Sequence, residues 1–169
     1  MNWWRITKYN PENRNTKGVY LGDDWTSFND VVKSSNNSIL SFSQYLAVEN
    51  LYVNTVKEFM KSVNLEQLLI DDLEKKFIPP NDKYLITSII DVNSFYIQLK
   101  NGMSLKCVAL EVTIRLILRE FIWAKLKSTM NLEVHFGYDY YMYIGCSKLP
   151  ENIRSCGLFI ESRESPYNT

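Results

Sequence analysis

The stretch Leu132-Glu133-Val134-His135-Phe136-Gly137-Tyr138-Asp139-Tyr140-Tyr141-Met142-Tyr143-Ile144-Gly145 sets the fold class of this chain. Branched and aromatic side chains fill two short runs, and Gly137 and Asp139 between them suit a turn or bulge. The stretch therefore predicts a pair of core strands with an aromatic face. Alternation puts Glu133 and His135 on one face as long as no bulge intervenes.

Upstream, Ser104 can cap a helix that the apolar pattern carries to about Lys127. Its apolar positions, from Leu105 and Val108 through Leu116, Ile117 and Leu118 to Trp123 and Leu126, cover most of the circumference, which predicts a central helix. A second helix is amphipathic. Ser41-x-x-Gln44 has capping-box spacing, and Tyr45, Tyr52, Val56, Phe59 and Met60 follow at helical intervals to about Val63. Residues 65–74 fit either a helix or a short buried strand, and Pro79-Pro80 closes that segment. Strands are expected over residues 3–9, 84–90, 94–99 and 158–162, loops over 11–24 and 34–38, and a fraying tail after Pro166. The expectation is one α+β domain over residues 1–169, a mainly antiparallel sheet packed against two long helices.

At 169 residues the chain can bury a core without help from disulfides or metals. Nineteen basic residues balance nineteen acidic ones, which argues against affinity built on phosphate neutralisation and against an acidic mimic of nucleic acid. Aromatic residues at 14% are abundant, and tyrosine and tryptophan enrich binding surfaces as well as cores, so composition leans toward recognition. Cys107, Cys146 and Cys156 are odd in number and widely spaced, a usage that fits reduced thiols in a cytoplasmic protein. The first residues carry no basic-then-apolar leader, and no run reaches the roughly 18 to 20 apolar residues that span a bilayer.

Four constellations bear on chemistry. His135, the only histidine, lies beside Glu133, Asp139 and several tyrosines, as an acid/base site requires; a lone histidine is more often structural. With no second histidine, zinc hydrolase chemistry of the usual kind is excluded. Glu111, Arg115 and Arg119 recur every four residues with Glu120 alongside. They read as an intrahelical ion-pair ladder in preference to an anion pocket. Asn13, Asn15, Lys17, Gly18 and Asp24 echo a calcium loop, but Lys17 has the wrong charge for a ligand and the flank is strand-like, so a solvated turn is expected. Trp25 and Phe28 after Asp23-Asp24 are either a contact anchor on a loop or aromatics folded onto the core.

Taken together, Trp4-Arg5-Ile6-Thr7-Lys8-Tyr9-Asn10-Pro11, Asp24-Trp25-Thr26-Ser27 and His135-Phe136-Gly137-Tyr138-Asp139-Tyr140-Tyr141-Met142-Tyr143 resemble small bacterial immunity proteins of polymorphic and contact-dependent growth-inhibition toxin systems. The resemblance implies a cytoplasmic, non-enzymatic protein that binds and occludes one cognate toxin domain, frequently a nuclease. It brings no catalytic residue, and the chain is expected to need no metal or cofactor and to bind neither nucleic acid nor membrane. The expected contact residues are Asp23, Asp24, Trp25, Asp71, Asp72, Tyr138, Asp139 and Tyr141, with Glu74 as a further acid. A neutral chain meets a basic nuclease through a local acidic patch or binds away from its active site. The alternative is a small hydrolase, ribonuclease- or phosphodiesterase-like, that uses His135 with Arg115, Arg119 or Glu120. The sequence sets no oligomeric state.

Overall fold

The computed structural model describes residues 1–33, 41–76, 90–129, 131–151, 153 and 156–168, without the side chains of 31–33. Among these residues seven strands form one sheet: Asn2–Thr7 (β1), Gln67–Lys75 (β2), Ser104–Lys106 (β3), Ile122–Lys127 (β4), Leu132–Phe136 (β5), Tyr141–Cys146 (β6) and Phe159–Ser162 (β7). The spatial order is β3-β2-β4-β5-β6-β1-β7, and every neighbouring pair is antiparallel. The helices are Phe28–Lys33 (α1), Phe42–Ser62 (α2), Val92–Gln98 (α3) and Cys107–Leu118 (α4). The α+β class and the antiparallel sheet are as expected, and the ambiguous residues 65–74 form a strand.

Alternation along each strand divides the sheet into two unlike faces. Leu68, Ile70, Ala124, Leu126, Val134, Met142, Ile144 and Ile6 fill one face and are fully or nearly fully buried in the core that α2 and α4 cover. The opposite face carries a polar row, each residue opposite the next across the strands: Asp71, Lys125, His135, Tyr143, Arg5, Glu161. Residues 163–168 lie over this row. Arg163 N–H donates to Trp3 O (3.1 Å), Ser165 meets His135, and the Tyr167 ring sits 5.8 Å from Trp123 and 6.1 Å from Tyr143. The tail therefore does not fray after Pro166, because Tyr167 has two aromatic partners to pack on.

The start of α2 follows its sequence signal. Ser41 N–H donates to Gln44 Oε1 (2.8 Å) while Gln44 N–H donates to Ser41 Oγ (3.3 Å), a complete capping box. The helix ends as expected next to Val63, with Asn64 in the left-handed region (φ 55°) and Leu65 N–H reaching back to Met60 O (2.9 Å).

The second long helix is matched only roughly, by a shorter one. Residues 104–127 divide into β3, α4 and β4, so α2 is the long helix and α4 covers only three turns. The stop is a Schellman motif: Glu120 N–H donates to Ile117 O and Phe121 N–H to Leu116 O, each at 2.9 Å, with Glu120 at φ 61°. Glycine is the usual residue at that position, so a glutamate there gives no stop signal in the sequence. The apolar run looked helical all round because its second half is a strand buried in mid-sheet.

The strand expected over residues 94–99 is instead the helix α3. Asp91 caps it by accepting from Asn93 N–H (3.1 Å) and Ser94 Oγ–H (2.6 Å), and this local cap overrides the strand preference of Phe95, Tyr96 and Ile97. Apart from Ile90, the strand expected over 84–90 lies outside the described residues, as do Pro79-Pro80 and the loop 34–38. Residues 11–24 form the expected loop, pinned by a bridge between Arg14 and Tyr20. All three cysteines are free.

Candidate functional site

The β5–β6 connection is a type I′ turn. Tyr141 N–H donates to Tyr138 O (3.2 Å), and the central residues Asp139 and Tyr140 both hold positive φ, 57° and 61°. Gly137 N–H donates to Tyr141 O (2.7 Å), so Gly137 and Tyr138 share one partner and form a bulge. The consequence is a pair of opposed tyrosines. Tyr138 is thrown outward to 79% exposure, whereas Tyr140 is turned into the core.

Tyr140 joins a buried polar network. Its hydroxyl lies 2.8 Å from Tyr45 Oη and 3.0 Å from Leu118 O, and its own carbonyl accepts from Tyr52 O–H (2.6 Å). Tyr45 O–H in turn donates to Glu49 Oε1 (2.9 Å). Burial pushes the Tyr140, Tyr45 and Tyr52 hydroxyls far above the usual tyrosine range, so they act as neutral donors.

Glu49 has no exposed surface and is held by two guanidinium groups. Arg119 donates through Nε (2.6 Å) and Nη2 (2.8 Å), and Arg115 through Nη1, while Arg115 Nη2 reaches Asn50 Oδ1 (2.7 Å). The Arg119 guanidinium also lies 5.0 Å from the Phe28 ring centre. Glu111 pairs with Lys57 instead. The expected ladder along α4 is thus corrected to bridges between α4 and α2, because a carboxylate stripped of water on α2 needs both positive charges. These arginines are committed to the fold.

His135 stands on the other side of the sheet, 2% exposed. Its Nδ1 is 2.8 Å from Ser165 Oγ, its Nε2 is 3.4 Å from Glu133, and its ring lies 4.7 Å from that of Trp3. Burial, assisted by the neighbouring Lys125 ammonium, lowers its pKa to about 4, so the imidazole is neutral near pH 7. The residues expected to work together in a hydrolase are separated. His135 faces the tail, Arg119 is buried and Arg115 half-buried between helices, and Glu120 lies elsewhere again.

Glu120 lies at a cleft of about 510 Å³ enclosed by the hairpin tip and the ends of α4 and β2. Its walls are aromatic, with Phe121, Trp123, Phe136, Tyr140, Tyr141 and Tyr167, and Glu74, Glu120 and Asp139 bring carboxylates to the lining. The size and make-up fit a recognition pocket. Trp123 Nε1–H donates to Phe136 O (2.8 Å), which fixes one wall. Lys75 also lines the cleft, but its ammonium donates to the carbonyls of Tyr96 (2.8 Å) and Ile97 (3.0 Å) at the end of α3.

Of the expected contact residues, Tyr138, Asp139 and Tyr141 line this cleft together, and Glu74 joins them. The Asp23–Asp24–Trp25 loop borders it through Thr26. Trp25 is half-buried, edge-on to Tyr140 at 4.7 Å, with the Lys8 ammonium 4.2 Å from its ring, so the indole folds onto the core. Asp23 is exposed, and Asp24 accepts a hydrogen bond from Tyr20. Asp71 and Asp72 stand apart, paired with Lys127 (2.5 Å) and Lys125 (2.8 Å). Sequence reading missed Phe121, Trp123 and Tyr167 as cleft walls; the first two were assigned to a helix, and nothing local marks the third.

Among the described residues no group of three or more His, Cys, Asp or Glu is placed to hold a metal ion, and no helix is long and apolar enough to cross a membrane. Compared with protein-family models, curated proteins and solved structures, the chain matches none.

Proposed function

We propose that this chain is a cytoplasmic immunity protein, a non-enzymatic binder that occludes one cognate toxin domain, with the hairpin tip and its cleft as the contact surface. The observation that carries the reading is Tyr138: a large aromatic side chain held mostly in solvent at a hydrogen-bonded turn, on the lining of an aromatic-walled cleft. Tyrosines of this kind are typical anchors, since they bring large contact area at little cost in side-chain entropy. The same turn offers Asp139, and Glu74 and Glu120 share the lining, so three carboxylates against Lys75 and Lys76 give the cleft a small acidic excess on a chain of zero net charge.

The test is co-expression with the product of the adjacent upstream gene. A stoichiometric complex and protection of cells from that product are expected, and Tyr138→Ala should weaken the complex by roughly tenfold or more while leaving the melting temperature unchanged. Absence of both binding and protection overturns the proposal.

A further inference from the structure

We infer that the cleft receives an arginine side chain projecting from the partner protein. The inference rests on the binding function proposed above and names what the partner must present. Three observations carry it: the cleft has the volume, its lining is rich in aromatic rings, and its carboxylates outnumber its ammonium groups.

Elsewhere several carboxylates of the sheet and the helix interface are paired within the chain. Asp71, Asp72, Glu49, Glu111 and Glu161 all sit in ion pairs with lysines or arginines of this chain. Glu74, Glu120 and Asp139 are exposed and form no ion pair among the described residues. The lining also holds Lys76 and Lys75, whose ammonium donates to the carbonyls of Tyr96 and Ile97, so three carboxylates face two ammonium groups. The excess of negative charge favours a cation from outside.

The form of that charge follows from the walls. Among the described residues these carboxylates form no group that could hold a metal ion, and the same lining carries the rings of Trp123, Tyr141 and Phe121. A guanidinium group is planar, stacks on aromatic rings and carries five donors that can reach separate carboxylates, which an ammonium cannot match. The volume of about 510 Å³ leaves room for the residues flanking the arginine on a loop.

Two measurements test this. In the first, calorimetry of the partner with wild type, Glu120→Gln and Asp139→Asn should give tenfold or greater losses in affinity for each variant and a shallower dependence on salt. Losses below twofold overturn the arginine inference while the complex, and with it the binding function, stands. Glu120→Gly should lose affinity as Glu120→Gln does and yet melt roughly 2 to 4 °C higher; unchanged affinity overturns the inference.

The second measurement needs no partner. A tripeptide Gly-Arg-Gly with blocked ends, titrated by NMR, should shift the amides of residues 138–141 and the Trp123 indole, and the same peptide with citrulline should not. Equal responses, or none, overturn the inference even if no toxin complex exists. Sedimentation of wild type alone should show a monomer. A dimer abolished by Glu120→Gln would assign the cleft to a second copy of this chain and overturn the inference as well.

Discussion

Lowering the pH should destabilise this protein through His135 before its carboxylates are protonated. The imidazole is buried, its Nδ1 is engaged by Ser165, and Lys125 lies opposite on β4, so the folded state resists the proton that the unfolded chain accepts near pH 6.5. Stability from this group is full above pH 6.5. It falls by about 1.4 kcal/mol per pH unit below that, until the folded histidine itself takes the proton near pH 4. The accumulated loss is about 3 kcal/mol, a large share of the stability of an ordinary domain. The assay is urea unfolding at half-unit steps from pH 7.5 to 4, on wild type and on His135→Asn, which keeps a polar atom for Ser165. Subtracting the variant curve removes the carboxylates common to both. A difference that grows toward low pH supports the reasoning, and curves that stay parallel within about 0.5 kcal/mol refute it. The single histidine also gives one imidazole resonance, whose titration midpoint should lie near pH 4.

Glu49→Ala should cost roughly 3 to 5 kcal/mol in urea unfolding, because it leaves the Arg119 guanidinium buried without its counter-charge. Ser41→Ala removes the side-chain half of the α2 cap and should lower stability by about 1 kcal/mol, read from the urea midpoint at unchanged slope.

The parts of the fold that announced themselves were those with a local chemical signature. Ser41 and Gln44 marked the start of α2, and the apolar spacing behind them carried it to its end. The hairpin of β5 and β6 was legible from its branched and aromatic runs around Gly137. What failed was the end of α4, because Glu120 adopts a glycine conformation without being glycine, and the buried strand that follows is apolar on the same scale as the helix. Asp91 and Ser94 did spell a cap for α3, but the aromatic and branched residues behind it argued more loudly for a strand. The candidate site was half visible. Tyr138, Asp139 and Tyr141 stood together in the sequence, whereas Glu74, Trp123 and Tyr167 reach them only through sheet register and the path of the tail, which no local pattern records.

The placement of β1 has a consequence for how the sheet folds. It lies between β6 and β7, with Asn2 opposite Cys146 and Thr7 opposite Phe159, so both of its neighbours come from the far side of the chain. Pairings of such long sequence separation form slowly. Closure of the sheet around β1 should therefore be a late step, and Trp3, Trp4 and Ile6 stay without their strand partners until it is complete.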